Sequence, residues 1–222
     1  WKGKGAGTLG ACGFFSFQAS KNITAGEGGA IATDDEELAG KIRSRANCGR
    51  PPSGTPWYHH INVGTNARMT EFQAAILLCQ LERMEEQMLL RARNAAQLNH
   101  GFEGIPGLTP QRTSNRNSRR AYHLYCLRFD EAAFGCSREK FVRAANAEGW
   151  PVSAGYPLPL YKQPVFLGLP LHDYNGCSCP VAEDLCSRSG LWFAHQLLLG
   201  SEQDMKDILE ITIKIKSCAK DL

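Results

Sequence analysis

The chain has 222 residues, of which 43% are hydrophobic and 21% are charged, a balance that is ordinary for a globular protein with a sizeable core. Its 25 basic and 22 acidic residues give a net charge of +3, which argues against a dedicated nucleic-acid binder. No stretch approaches the ~18 apolar residues that a membrane span needs. Nine cysteines without a CxxC pair predict reduced thiols and a cytoplasmic location.

The first residues predict a fragment of a longer protein. The chain begins with Trp1 instead of methionine and enters the glycine-rich residues 3–10 directly. These glycines lack the GxxxxGK[ST] spacing of a phosphate loop. They also lack the preceding strand and following helix that a dinucleotide fingerprint needs, so we expect a polar turn.

Residues 15–29, FSFQASKNITAGEGG, carry the main chemical pattern of the chain. An apolar run over residues 11–17 predicts a short buried strand, which leads first to the hydroxyl of Ser16 and then to the amine of Lys21. Desolvation near a strand end favours the free amine, which is a nucleophile toward carbonyls. The following glycines allow close backbone approach to a ligand. This order suits a phosphorylated cofactor held covalently; the alternative is a solvated surface lysine.

Helix signals follow in the first half of the chain. The capping-box pattern from Thr33 to Glu36 predicts a helix that ends near residue 46, after a short strand. A second capping box, Thr70 with Gln73, begins a helix of roughly two dozen residues, which is longer than usual. Its apolar stripe indicates core or interface.

The second half predicts a small α/β domain. A strand over residues 122–127 precedes a helix whose N-cap is Ser137. The proline-rich residues 155–164 predict a rigid non-helical loop. Ser201 with Asp204 caps a final amphipathic helix.

Two stretches together resemble the motifs of the DegT/StrS-type sugar aminotransferases. Residues 15–29 are similar to the family's Schiff-base signature, in which FSF, five residues from serine to lysine, and GEGG recur together. Residues 64–75, GTNARMTEFQAA, are similar to its N-x-R-M-T-E-x-Q-A-A motif. The likeness runs from Trp1 to about Lys216 and covers nearly the whole chain.

The resemblance implies an α/β fold, namely the C-terminal part of a fold type I enzyme that uses pyridoxal 5′-phosphate (PLP). Residues 1–94 would complete the large cofactor-binding domain and its connecting helix, and residues 95–222 would form the small C-terminal domain.

The resemblance also implies roles for single residues. Lys21 falls on the lysine that binds PLP covalently, and Ser16 falls on the serine that binds the cofactor phosphate. Asn66 falls on an asparagine that reaches the phosphate in the neighbouring subunit, with Arg68 as its companion. A homodimer with shared active sites follows. For Arg68 the alternative is a structural ion pair at the helix start.

Residues 155–164 and 192–200 most resemble the branch that aminates keto-cyclitols and aminohydroxybenzoate precursors. Tyr156 and His195 are the candidate substrate residues, and the alternative for both is packing. The implied reaction moves an amino group from L-glutamine or L-glutamate to a keto sugar or keto-cyclitol, as in precursor biosynthesis for secondary metabolites or polysaccharides.

The sequence departs from the family pattern in two ways. Cys48 occupies a position where members commonly have histidine. The family's ring-binding aspartate, phosphate loop and ring-stacking group lie N-terminal to this segment, which leaves open whether the segment is active by itself.

Three other functions are weighed against amino transfer. The chain could be an inert fragment or dimerisation remnant of such an enzyme. It could be a PLP-dependent sugar dehydratase of the same fold, although these replace the lysine that is present here as Lys21. A metal site can be drawn from five residues, but its CxC spacing is poor for zinc and we expect no metal. The five are His172, Cys177, Cys179, Cys186 and His195.

Overall fold

A computed structural model describes residues 1–51, 56, 58–168, 174 and 176–222 of the chain. These divide into two compact units. Unit 1 comprises Trp1–Gln87 with Ser114–Arg120, and unit 2 comprises Met88–Thr113 with Ala121–Leu222. The domain boundary at residue 94 stays a prediction.

Unit 1 begins with a two-stranded antiparallel sheet formed by β1 (Gly13–Ser16) and β2 (Gly29–Ala32). Ser16 pairs with Gly29 at the end of the ladder. The intervening residues 17–28 therefore leave the sheet as one loop whose two ends are held together.

The predicted strand at residues 11–17 is present as β1, but the prediction that it is buried is wrong. Of its residues only Gly13 is buried, and Phe14 is 84% exposed. Within the described chain, β1 pairs with β2 alone, and all four residues of β2 are exposed as well. An apolar run predicts the extended conformation, whereas burial requires a second layer from elsewhere in the molecule.

Helix α1 (Glu36–Ala46) follows, and the predicted capping box is wrong. Asp35 is the N-cap, and its carboxylate accepts from the Leu38 N–H at 2.9 Å. The Thr33 hydroxyl accepts instead from the N–H of Asp35 at 3.1 Å. A carboxylate one residue before the helix is well placed for the orphan N–H groups and interacts favourably with the helix dipole, so it takes the cap.

Helix α2 (Glu71–Glu103) has 33 residues and is longer than predicted. The capping box at its start is confirmed, because the Gln73 N–H donates to the Thr70 hydroxyl and the Thr70 N–H donates to the Gln73 side chain. The extra turns belong to unit 2, where Leu98 and Phe102, four residues apart, are completely buried. Burial of this pair outweighs the poor helix propensity of the last turns.

Unit 2 is built on a three-stranded antiparallel sheet in the order β3–β4–β5. The strands are β3 (Leu108–Pro110), β4 (Leu124–Phe129) and β5 (Gly190–Ala194). The predicted strand over residues 122–127 is therefore confirmed with a shift of two residues. Alternate residues of the last two strands form the core face: Tyr125, Leu127, Phe129, Leu191 and Phe193.

Helices complete unit 2: α3 (Glu131–Phe134), α4 (Arg138–Ala147), α5 (Pro164–Leu167), α6 (Pro180–Asp184) and α7 (Glu202–Ser217), with 3₁₀ turns at Leu160–Lys162 and Leu197–Leu199 and a π-helical turn at Leu185–Ser189. The N-cap at Ser137 is confirmed, since its hydroxyl accepts from the Lys140 N–H. The capping box of Ser201 and Asp204 is confirmed on α7. No helix in the described ranges is long and apolar enough to cross a bilayer.

The loop predicted over residues 155–164 has no helix up to Pro159, but it contains the 3₁₀ turn Leu160–Lys162 and its last residue, Pro164, begins α5, which contradicts a wholly non-helical segment. This turn is tied to α6 by the Glu183 carboxylate. The carboxylate accepts from the Tyr161 hydroxyl and lies 2.8 Å from the Lys162 ammonium. We call these three side chains the Glu183 clasp.

The Glu183 clasp predicts a pH dependence of stability. Hydrogen bonds from Lys162 and then Tyr161 lower the pKa of Glu183 from 4.5 to about 2. Because the folded pKa is depressed, the stabilisation is fully present above pH 4.5 and is lost as the pH falls toward 2. We expect the difference in melting temperature between the wild type and Glu183→Gln to shrink over this interval in thermal unfolding. A difference that stays constant with pH would contradict the clasp.

Candidate active site

The loop of residues 17–28 closes on its own backbone. The Phe17 N–H donates to the Gly28 carbonyl at 2.9 Å, which extends the ladder of β1 and β2 by one bond. The Phe17 carbonyl then accepts from the Ala25 N–H at 3.0 Å and from the Thr24 hydroxyl at 2.9 Å. These bonds hold the loop in one shape at the end of the sheet.

Two of the predicted site residues converge on the backbone of Gln18. The Ser16 hydroxyl accepts from the Gln18 N–H at 3.3 Å, and the Lys21 N–H donates to the Gln18 carbonyl at 2.9 Å. The Gln18 side chain accepts from both the N–H and the hydroxyl of Ser20. The Ser16 hydroxyl and the backbone of the half-buried Lys21 therefore belong to one short loop segment.

Two glycines, Gly26 and Gly28, lie where this loop leads into β2. Gly26 has φ +80° and Gly28 has φ +138°, conformations that side-chain-bearing residues rarely adopt. At Gly26 no atom lies within 4 Å of the position that a Cβ would take. Backbone conformation, rather than lack of space, accounts for the glycine there.

Helix α2 holds the same loop through two glutamines that lie two turns apart on one helix face. The Gln80 side chain accepts from the Thr24 N–H at 3.0 Å and donates to the Thr24 carbonyl, so its amide pairs with both polar groups of one residue. The Gln73 amide donates to the Glu27 carbonyl at 2.8 Å. Sequence reasoning missed Gln80, because no local pattern links it to a loop 56 residues away.

Asn66 and Arg68 lie on the segment that leads into α2. Asn66 is exposed, and its backbone forms an isolated bridge with Asn47. The Arg68 guanidinium donates to the Asn47 side chain at 2.7 Å and lies 3.9 Å from the Cys48 sulfur. Within the described residues Arg68 binds an amide rather than a carboxylate. Cys48, the departure from the family pattern, is thus adjacent to the predicted phosphate-binding segment.

The two candidate substrate residues of unit 2 lie apart. Tyr156 is 67% exposed and packs edge-on against Trp192 of β5, with 5.0 Å between ring centroids. His195 is 4% exposed, follows β5 among its core-facing positions, and lies beside His123. Because adjacent strand positions alternate in direction, Trp192 and His195 point to opposite faces. The structure therefore does not bring Tyr156 and His195 together on one surface.

Of the five residues considered for a zinc site, His172 lies outside the described residues. In the part of the chain that is described, no three His, Cys, Asp or Glu side chains form a possible metal site.

The sequence matches the DegT/DnrJ/EryC1/StrS aminotransferase family over residues 1–211. The chain belongs to this family. The match confirms the family predicted from residues 15–29 and 64–75, and with it the α/β fold class.

A relative from Micromonospora echinospora, named L-glutamine:2-deoxy-scyllo-inosose aminotransferase, is 35% identical over 242 aligned positions. The match covers 100% of this chain and 57% of that protein. The crystal structure of 3-amino-5-hydroxybenzoic acid synthase is similar, with a TM-score of 0.86 and 29% identity, over 99% of this chain and 58% of its own. This chain therefore spans a little more than half the length of these proteins.

The fold is shared with an enzyme of a different activity. The E. coli GDP-4-keto-6-deoxy-D-mannose-3-dehydratase, solved with bound hydrated PLP, has a TM-score of 0.79 and 23% identity over 96% of this chain and 57% of its own. The fold alone therefore does not separate an aminotransferase from a dehydratase, and the residues of the loop must do so.

Proposed function

We propose that the protein to which this chain belongs is a PLP-dependent aminotransferase. It transfers an amino group from L-glutamine, or from L-glutamate, to a keto-cyclitol or keto sugar. The observation that carries the proposal is that the Ser16 hydroxyl and the Lys21 backbone both bind Gln18, in a loop that α2 holds by two glutamines. The named activity of the scyllo-inosose relative supports the choice of donor and acceptor.

The residues of this loop segment fit PLP by their chemistry. The cofactor offers a phosphate and an aldehyde, and the segment offers a hydroxyl at Ser16 and a primary amine at Lys21. Ser16 would hold the phosphate, and Lys21 would be the point of covalent attachment. When bound, PLP supplies an electron sink for the bond that breaks at the donor's α-carbon. The Lys21 amine would also carry the proton that leaves that carbon.

Asn66 and Arg68 extend the proposal to a homodimer with shared active sites. Asn66 is exposed and carries an amide, and Arg68 orders the same segment through Asn47. We propose that Asn66, with Arg68 beside it, binds the cofactor phosphate of the partner subunit. We further propose a cytoplasmic enzyme whose partners are its two substrates and its own second copy, without nucleic acid or membrane.

Tyr156 and His195 stay proposed acceptor residues from unit 2. Tyr156 exposes its phenol, which can contact a cyclitol hydroxyl directly. His195 is almost fully buried, so its contribution would pass through the packing of the end of β5.

The alternative functions make different predictions about Lys21. A dehydratase of this fold uses another base in place of the lysine, and the presence of Lys21 favours amino transfer. An inert remnant would keep the fold and the dimer but would not bind PLP covalently.

Reduction with borohydride tests the proposal. We expect the full-length protein, incubated with PLP and reduced, to carry the cofactor on Lys21 and on no other lysine, as read by peptide mass spectrometry. Lys41 is the internal control, because it is an exposed residue of α1 and its ammonium is paired with Glu37. Absence of the adduct, or labelling of Lys21 and Lys41 to the same extent, would refute the catalytic assignment.

A further inference from the structure

Unit 2 contains a cavity of about 600 Å³ whose lining includes Tyr156, a proposed acceptor residue, together with residues that the proposed amino transfer does not assign. Its floor is the face of the sheet opposite the core, formed by residues such as Cys126 and Arg128 of β4 and Trp192 of β5. The segment from residue 109 to 112 forms one side, and Ala154 and the turn at residues 185–186 form the other. This volume lies in the range of small-molecule sites.

The charged side chains that line the cavity are all positive among the described residues. Arg112 and Arg128 line it, and no carboxylate occurs among the described residues of the lining. Arg128 has a partner, the Asp184 carboxylate at 3.2 Å, whereas Arg112 is exposed and forms no ion pair within the described ranges. An anion in the cavity would therefore gain more binding free energy from Arg112 than from Arg128, which is already paired with a carboxylate.

A third guanidinium, that of Arg138, binds the backbone of the cavity lining from the protein interior. Arg138 is 6% exposed, and it donates to the carbonyls of Ala154, Leu185, Cys186 and Gly190 at 3.2–3.4 Å, all of which line the cavity. These bonds hold three separate stretches of the wall in place and occupy carbonyl oxygens that would otherwise repel an anion. The wall is preorganised and its electrostatics favour negative charge.

The aromatic rings set the shape of the ligand. Trp192 and Tyr156 meet edge to face at 68°, with 5.0 Å between centroids, and both line the cavity. Tyr156 keeps 67% of its surface exposed, so an incoming flat ring can cover it.

From this combination we infer that the cavity binds a small anion with a planar ring, an aromatic carboxylate or aryl phosphate, through Arg112 and the pair Tyr156–Trp192. The inference does not depend on Lys21. It goes beyond the proposed amino transfer, because it adds Arg112, Trp192 and a planar anionic ligand to the cyclitol contact proposed for Tyr156.

Binding to the full-length protein tests the inference, measured by saturation-transfer NMR and titration at low ionic strength. Benzoate and phenyl phosphate represent the two anionic groups, acetate lacks the ring, benzyl alcohol lacks the charge, and myo-inositol represents a neutral cyclitol. We expect benzoate or phenyl phosphate to bind at millimolar concentration or tighter, and each of the other three probes to bind at least about tenfold more weakly.

Arg112→Gln is the decisive variant, with Arg143→Gln as its matched control. Arg143 is an exposed arginine of α4 in the same unit and does not line the cavity. Arg112→Gln is expected to weaken the anion about tenfold and to leave benzyl alcohol unchanged, whereas Arg143→Gln changes neither. Equal effects of the two variants, no binding of either anion, or binding of myo-inositol as tight as that of benzoate would overturn the inference.

Discussion

Replacing Lys21 with alanine in the full-length protein is expected to reduce the turnover number for amino transfer by at least about 10²- to 10⁴-fold, the contribution of a positioned proton-transfer group. Loss of the covalent attachment point should lower it further. The assay is the initial rate of transfer from L-glutamine to 2-deoxy-scyllo-inosose, the acceptor in the name of the Micromonospora relative. Folding should survive, because Lys21 is a half-buried loop residue outside the hydrophobic core.

The control is Lys41→Ala, which removes an exposed lysine of α1 and should leave the rate unchanged. The variants can be compared by melting temperature to confirm that both are folded. If Lys21→Ala kept wild-type turnover while folding normally, Lys21 would not be the catalytic lysine.

Replacing Gln80 with alanine is expected to weaken PLP binding about tenfold or more. The Gln80 amide forms two hydrogen bonds with the backbone of Thr24, and each bond contributes about 0.5–1.5 kcal/mol. Without these bonds Thr24 is no longer held to α2. The Gln73 bond to the Glu27 carbonyl is then the remaining glutamine contact between the helix and the Lys21 loop. The dissociation constant of PLP and the rate of borohydride labelling at Lys21 are the two measurements.

Glu82→Ala is the matched control for Gln80, since Glu82 is an exposed residue two positions farther along the same helix. It should leave both measurements at their wild-type values. If Gln80→Ala matched this control in PLP affinity, α2 would not position the loop. If it lowered the melting temperature alone, Gln80 would serve stability and not the cofactor.

Local patterns in the sequence determined the features that a few neighbouring residues suffice to form. The caps at Thr70, Ser137 and Ser201 could be predicted, because a side chain and the N–H groups it caps lie within one turn. The segment that joins Ser16 to Lys21 is equally local, although its hydrogen bonds to Gln18 were not predicted. The family was also predicted from short motifs, those of residues 15–29 and 64–75, and the match over residues 1–211 confirms it.

Tertiary structure decided whatever depends on groups far apart in the chain. Gln80 reaches Thr24 across 56 positions, and the Arg138 guanidinium joins carbonyls 16 to 52 positions away. The exposure of Phe14 and the separation of Tyr156 from His195 follow from which layers and faces meet, which periodicity does not encode. Hydrogen bonds and burial between distant segments form only when the whole chain brings them together, so residue types predicted the chemistry of the loop while the fold determined what holds it.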